Sequence, residues 1–490
     1  MFLSLAGKIS LEMPTPLIFC CGLLGMTFLP FPSQDLEGTW IGSLKVGTQE
    51  LRLALHLVRS QGGYSATLDS LDQGVTGIPC DRVSVEGGVL IFEINSLRIR
   101  FEGKINEKGE EITGTFKQGN VSLPLTLKRG EVPPPPRRPQ TPQPPFPYAE
   151  EEVSFSNEDK SVTLGGTLTL PPGEGPFPAV VLISGSGLQD RDETIFGHKP
   201  FWVLADFLTR HGIAVLRVDD RGVGKSSGPV ERATSRDFAE DVKMSWAYLG
   251  TRKEIDKKKR GLIGHSEGGL LAAMVASEVP EVAFIVMLAG SAVPGKDLLP
   301  LQVYRQYLAS GVKEEVARKV KDLYQKFCEA VMAEPDKARV LEKIRAILKE
   351  SSGGADEEFK KTLEMMEAQA EDLVTFLTGP WMRFFLAYDP AQALGKVRCP
   401  VLALNGSLDV QVDAGQNLSA IVRALEEGGN SDYTIVKVPG VNHLFQTAIT
   451  GSPQEYGKIE ETFSPKVMEF IKDWILSRFG KKEEPKSVLE

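Results

Sequence analysis

Gly264-His265-Ser266-Glu267-Gly268 sets a serine between two glycines, directly after the apolar pair Leu262-Ile263 and before the small-residue stretch Gly269–Ala276. A serine hydroxyl is a weak nucleophile at neutral pH until a base takes its proton. The pattern G-x-S-x-G, placed between a strand and a helix, presents such a hydroxyl on a tight turn. Glycines on either side let the backbone cross without Cβ clashes, and the N-terminus of the next helix faces negative charge developing on a substrate. A glycine-rich turn serving only close helix packing is the competing reading. The strand before and the helix after favour Ser266 as a nucleophile.

The chemistry then needs a base, an acid and an anion-binding pocket. Where a nucleophile sits on such a turn, the chain order is serine, acid, histidine. Of the five histidines (His56, His198, His211, His265 and His443), His443 alone follows Ser266. It comes after Val436-Lys437-Val438-Pro439-Gly440, a strand end and a turn. His265 flanks the serine and reads as structural. The acid that orients the histidine and stabilises its charged form is Asp409, after the strand Val401-Leu402-Ala403-Leu404 and the turn Asn405-Gly406-Ser407. Asp413 competes, but it stands at the N-cap position of a helix predicted over Ala414–Glu427. Asp432, just before the last strand, is less well placed. Two backbone N–H groups must hold the oxyanion. One is Glu267, after the serine. The other comes from Ser184-Gly185-Ser186-Gly187, with Ser186 the first choice and Gly187 the second.

These residues belong to a region in which apolar runs alternate with helical patterns. The runs are Ala179–Ser184, Ala214–Asp219, Arg260–Gly264, Ala283–Ala289, Val401–Asn405 and Tyr433–Val438. The helices are Phe201–Arg210, Ser235–Leu249, Glu267–Ser277, Ala414–Glu427 and Pro465–Phe479, and Val153–Phe155 with Val162–Leu170 suggests an opening hairpin. Continuous apolar strands between amphipathic helices imply a parallel sheet covered on both faces. Residues 295–390 interrupt the rhythm with charged helices and read as an inserted cap. Its Trp381, Phe384, Phe385 and Tyr388 could line an apolar site, although packing within the cap explains them too.

Ahead of this region, residues 36–130 carry short runs rich in Val, Ile, Leu and Thr. Gly38–Val46, Glu50–Val58, Tyr64–Leu68, Arg82–Val85, Val89–Ile94, Leu97–Phe101, Ile112–Phe116 and Val121–Leu127 are separated mostly by glycine-containing turns. Short strands at this spacing predict a small sandwich or barrel. Nine of the fifteen residues from Pro133 to Pro147 are proline, so 131–147 reads as an extended spacer. Residues 148–480 then form the α/β part. Residues 1–35 read as a leader: Leu17 to Leu29 is apolar enough for the core of an export signal, with Met13 as an alternative start. That expectation places the protein in the periplasm or outside the cell, or in the cytoplasm if the segment is not a signal. Pro14, Pro16, Pro30 and Pro32 argue against a stable membrane-spanning helix there.

Over 490 residues, 41% are hydrophobic and 25% charged, an ordinary globular balance that excludes disorder of the whole chain. A net charge of −9 argues against a nucleic-acid partner, which needs a basic surface. The one dense basic run, Lys257-Lys258-Lys259-Arg260, reads as a solvated helix-to-strand turn. The five cysteines form neither a disulfide framework nor a zinc site. Gly224-Lys225-Ser226 imitates the end of a phosphate-binding loop, but the first glycine that loop requires is Asp219 here. No cofactor or metal is implied.

Five segments together carry a family resemblance. They are Ser184-Gly185-Ser186-Gly187-Leu188-Gln189-Asp190-Arg191-Asp192, Asp219-Asp220-Arg221-Gly222-Val223-Gly224-Lys225-Ser226, Gly264-His265-Ser266-Glu267-Gly268-Gly269, Gly406 to Asp409, and Asn442-His443. Residues 150–480 resemble the α/β-hydrolase superfamily, near its bacterial esterase, dienelactone-hydrolase-like and serine aminopeptidase-like branches. The resemblance implies a Ser266–Asp409–His443 triad, an acyl-enzyme intermediate and a small-molecule ester as substrate. Ser184 stands where these relatives commonly begin the loop with His-Gly. Some bacterial esterases also carry a small β-domain in front, which residues 36–130 resemble in pattern. Peptidases and thioesterases use the same triad. An inert hydrolase fold carrying a binding β-domain is the reading from outside enzymology.

Overall fold

Alternation of apolar and polar residues builds the first unit. The computed structural model describes residues 35–480, apart from 47, 48, 61, 120 and 135, so the expected leader lies outside the described residues. Strands β1 (Gly38–Val46), β2 (Gln49–Ser60), β3 (Gly63–Ser70), β4 (Val75–Pro79), β5 (Arg82–Glu86), β6 (Val89–Ile94), β7 (Ile99–Ile105), β8 (Glu111–Gln118) and β9 (Val121–Arg129) form one antiparallel sheet. Its order is β4-β3-β2-β1-β9-β8-β7-β6-β5. The amide of Cys80 donates to Ala66 and that of Asp81 to Glu93, so the connection from β4 to β5 bonds to strands from both ends of the sheet and curls it. Trp40, Leu53, Leu55, Phe92, Phe101 and Phe116 fill the inside. Each such burial removes a large apolar side chain from water, worth about 1.5–3 kcal/mol. β4 has no counterpart among the expected runs, since Gly77 and Pro79 dilute its apolar pattern.

The second unit begins at Pro136, so the division falls inside the proline-rich segment. Arg138 donates to the carbonyls of Phe196, Gly457 and Ile459, and Gln140 donates to that of Phe463 while accepting the amides of Thr462 and Phe463. Residues 136–147 are thus a strap fastened to the second unit.

In chain order the second unit runs β10 (Ala149–Ser156), β11 (Thr163–Leu170), β12 (Phe177–Ile183), α1 (Pro200–Arg210), β13 (Ala214–Val218), α2 (Ser235–Leu249), β14 (Ile255–His265), α3 (Glu267–Glu278) and β15 (Ile285–Leu288). Six helices follow: α4 (Gly295–Ala309), α5 (Glu314–Ala333), α6 (Lys337–Ser351), α7 (Glu357–Ala368), α8 (Ala370–Leu377) and α9 (Pro380–Ala387). The unit closes with α10 (Ala391–Leu394), β16 (Val401–Gly406), α11 (Ala414–Glu427), β17 (Tyr433–Val438), α12 (Pro453–Tyr456) and α13 (Pro465–Phe479). The sheet order is β10-β11-β13-β12-β14-β15-β16-β17, parallel from β13 to β17 with β10 and β11 antiparallel at one edge. One face is covered by α2, α3 and α11, the other by α1 and α13. The cap α4–α9 sits between β15 and β16 with its own core, including Leu323, Phe327, Ile344 and Val374.

The basic run is corrected by the structure: Lys257 to Arg260 lie within β14, not in a turn. Lys257 and Lys258 are exposed, as expected, but Arg260 is buried and its guanidinium lies 3.5 Å from the centroid of the Trp246 ring. Stacking on the indole offers a buried cation the partner it needs.

Candidate active site

Ser266 is the turn between β14 and α3, and its backbone is strained. At φ 55° and ψ −119° it occupies a region that side chains rarely adopt, at a cost of about 1–3 kcal/mol. The surroundings hold it there. Its amide donates to the carbonyl of Leu288 at 2.8 Å, and its carbonyl accepts the amide of Gly269 at 3.0 Å. The flanking glycines are steric necessities. A Cβ on Gly264 would stand 2.0 Å from the carbonyl oxygen of Gly268, and one on Gly268 would stand 2.2 Å from that of Ile183.

Two loops at the same end of the sheet carry the candidate acid and base. Asp409 follows β16, and its Oδ1 accepts the amides of Gln411 (2.8 Å) and Val412 (2.9 Å). Its Oδ2 lies 2.8 Å from His443 Nδ1. Both side chains are buried, that of Asp409 completely. The loops are laced together: Ser407 donates to Val438, and Leu408 to Val441. Gly406 is required because a Cβ there would meet the Val441 carbonyl at 2.3 Å. Asn442 caps the His443 turn, its Oδ1 accepting the amides of Leu444 and Gln446 at 3.0 Å each.

His443 is tied to His265, the residue before the serine. The Nε2 of His265 lies 2.9 Å from the His443 carbonyl oxygen, and the two rings are 4.7 Å apart. Asp413 is elsewhere employed. It caps α11 by accepting the Gln416 amide at 2.8 Å and pairs with Arg305. Asp432 pairs with Arg478 at the far end of β17. His56 lies in β2, hydrogen bonded to Thr39 and Asp69. His198 is buried beside Thr462 and Tyr456, and burial chiefly, with Arg138 second, depresses it to about 4. His211 ends α1.

The loop 184–187 passes beside the serine. A Cβ on Gly185 would sit 3.2 Å from that of Ser266. The Gly185 amide is already engaged by Glu193 Oε1 at 2.8 Å, which leaves the amides farther along, at Ser186 and Gly187, as the loop's donors toward an oxyanion. Glu267 supplies the first amide of α3. Its buried carboxyl group accepts from Ser235 Oγ (2.6 Å) and Trp381 Nε1 (2.8 Å) and interacts with Ser186. Burial raises that carboxyl, opposed by the three hydrogen bonds. Ser184 donates to Asp220 at 2.9 Å.

Sequence reasoning missed Glu193 and the reach of Trp381 to Glu267. Neither carries a local signal, because His265 lies 72 residues from Glu193 and Trp381 lies 114 residues from Glu267. Trp381 and Phe385 stack on each other against the cap core, while Phe384 and Tyr388 stack and pack against the core that α2, α3 and α11 form with the sheet. Arg221 pairs with Asp241. Among the described residues no helix is long and apolar enough to cross a membrane.

A strained serine at the strand–helix turn, a histidine–aspartate pair from two later loops and a parallel sheet beneath them define a hydrolase-type site. The family described as the alpha/beta hydrolase fold matches residues 178–446, more than half of the chain, and the chain belongs to that family. Esterase EstD of Thermotoga maritima is 37% identical over 171 residues, covering 34% of this chain and 40% of that protein. The chain therefore spans less than half the length of that curated relative. Among solved structures, the alpha/beta hydrolase GrgF from Penicillium shares 18% identity at a TM-score of 0.42, over 68% of this chain and 99% of that one. The Pyrococcus furiosus esterase Pf2001 shares 16% at 0.41, over 68% and 92%. Neither overlay is close enough to bear on the site.

Proposed function

We propose that the chain is a carboxylic-ester hydrolase that works through Ser266, His443 and Asp409 by way of an acyl-enzyme. The observation that carries the reading is the buried 2.8 Å pair of His443 Nδ1 with Asp409, whose histidine is bonded through its carbonyl to the residue preceding the strained Ser266. The partial match to an esterase supports it. Ser266 Oγ attacks the ester carbonyl while His443 takes its proton and passes it to the leaving alcohol. Asp409 keeps the Nδ1 proton in place, so Nε2 is free to act as base. The amides of Glu267 and of Ser186 or Gly187 hold the tetrahedral oxyanion; loss of one such donor typically costs about 10²–10³ in turnover. Water activated by His443 then releases the acid. The cap shapes the pocket for the acyl or alcohol group. The apolar run Leu17 to Leu29 supports export, which the mass of the mature N-terminus tests: a chain that keeps residue 1 or 13 rules it out.

Ser266→Ala tests the catalytic reading. Turnover of p-nitrophenyl esters and labelling by a fluorophosphonate should both vanish while the fold persists. Survival of both would end the assignment. Aminoacyl anilides assayed beside the esters decide the bond: faster turnover of the anilides makes the enzyme a peptidase instead.

A further inference from the structure

Glu193 enters no step of the proposed mechanism, yet the chain distorts itself to place it. It is a non-glycine residue at φ 52°, with its side chain buried to 6% exposure. One carboxylate oxygen, Oε1, receives the Gly185 amide at 2.8 Å and faces His265 Nδ1 at 2.9 Å. The other nitrogen of that ring faces the His443 carbonyl at 2.9 Å. A carbonyl oxygen only accepts, so Nε2 carries a proton. An ionised Glu193 can only accept at Oε1, so Nδ1 then carries a proton as well. The ring is an imidazolium held against a carboxylate, with every donor matched.

We propose that Glu193 and His265 are positioning residues that lock the oxyanion loop, the serine turn and the base loop into one register. The proposal rests on the esterase reading above. Its three contact points are Gly185, which lies against Ser266; His265, the residue before Ser266; and the backbone of His443. The brace fixes where the amides of loop 184–187 and the imidazole of His443 stand relative to the hydroxyl. Errors of about 1 Å in such placements can cost about 10²-fold in rate.

The titratable groups facing the His265 ring are Glu193, His443 and Asp409, with the Phe445 ring at its edge. Burial works against the charged ring, but the Glu193 charge, its hydrogen bond, the His443 carbonyl and Asp409 together raise the histidine above its usual range. The brace therefore holds below that raised value and releases as pH climbs through it.

Three measurements test this. Nitrogen-15 NMR of the histidine rings in the unmodified protein at pH 7 should show His265 protonated on both nitrogens; a neutral tautomer overturns the brace. Glu193→Gln forces a choice. Its amide either donates to a neutral His265 or accepts from Gly185, and kcat should fall 10- to 100-fold with KM within threefold. His265→Gln should lower kcat by a similar factor and abolish the alkaline inflection expected of the parent. If either variant fails to fold, the NMR arm alone decides. Parental kcat and pH profile in both variants, with Ser266→Ala inactive, would refute the brace and leave the esterase reading standing. Ester turnover by Ser266→Ala would sink that reading instead.

Discussion

Asp409→Asn separates orientation of the base from folding. The parent carboxylate receives three hydrogen bonds, two from the loop amides of Gln411 and Val412 on Oδ1 and one from His443 on Oδ2. An asparagine whose carbonyl oxygen takes the Oδ1 place keeps both loop bonds. Its NH2 group then points at His443 Nδ1 as a donor. The imidazole must answer with a lone pair at Nδ1, so its proton moves to Nε2, the nitrogen required to take the serine proton. The negative charge opposite the transition-state imidazolium is lost as well. For charges about 4 Å apart at an effective dielectric of about 20, that loss is about 4 kcal/mol, or roughly 10³ in rate. The wrong tautomer brings the expected fall in kcat to about 10³–10⁴.

KM should change little, because the Asp409 side chain is fully buried. Thermal stability should shift by less than about 1 kcal/mol, since the loop bonds remain. Steady-state kinetics on a p-nitrophenyl ester, the second-order rate of fluorophosphonate labelling and a melting curve measure the three quantities. Asp413→Asn is the control: that residue caps α11, and its removal should leave kcat within a few-fold. A fall of less than tenfold in Asp409→Asn with an unchanged melt would refute the orienting role. A collapse of kcat in Asp413→Asn instead would move the acid to the other aspartate.

Three further expectations follow from the packing and the buried acids. Gly264→Ala drives a methyl to 2.0 Å from the Gly268 carbonyl, so it should cost about 1–3 kcal/mol or more and at least 100-fold in kcat; parental kinetics and melting would contradict the steric account of the turn. Asp220 is raised to about 7, chiefly by burial, against hydrogen bonds from Gln189 and Ser184 and with Glu193 and Asp241 adding to the rise. A carboxyl raised in the fold holds a proton that the unfolded chain has lost, so its contribution is complete below its ordinary value near 3.8 and drains away as pH rises toward 7, by up to roughly 4 kcal/mol. Asp220→Asn removes this slope, and its melting temperature should gain on the parent between pH 5 and pH 8; parallel curves would contradict a raised Asp220. Arg138→Ala strands the carbonyls of Phe196, Gly457 and Ile459 and should cost about 1–3 kcal/mol; a change below about 0.5 kcal/mol would show that the strap does not hold these loops.

What the sequence disclosed follows from how far each constraint reaches along the chain. The helices Ala414–Glu427 and Pro465–Phe479 and the strand Tyr433–Val438 are legible to the residue, because caps, prolines and apolar runs are local signals. The Gly264–Gly268 turn is legible for the same reason: its glycines answer clashes with backbone four residues away or in the adjoining strand. The basic run misleads because β14 enters the sheet from its solvent-exposed end, so its lysines stay in water while they are already extended. Glu193 lay beyond reach. Its partners are residues 185, 265 and, through the ring, 443, and no periodicity relates them.

The contrast has a physical basis. A triad can be inferred from chain order because the sheet topology brings the ends of β14, β16 and β17 to one edge whatever the intervening sequence. The topology specifies that edge alone, and the proposed proton transfer from Ser266 to His443 needs closer placement than the topology sets. That last refinement falls to contacts within and between loops: Ser407 with Val438, Leu408 with Val441, Asn442 with Gln446, and Glu193 with both Gly185 and His265. The fold brings the reacting groups into one neighbourhood, and buried polar bonds between distant loops set their final positions. Substitutions in those bonds should therefore lower turnover before they lower stability, because the hydrophobic sheet core remains intact.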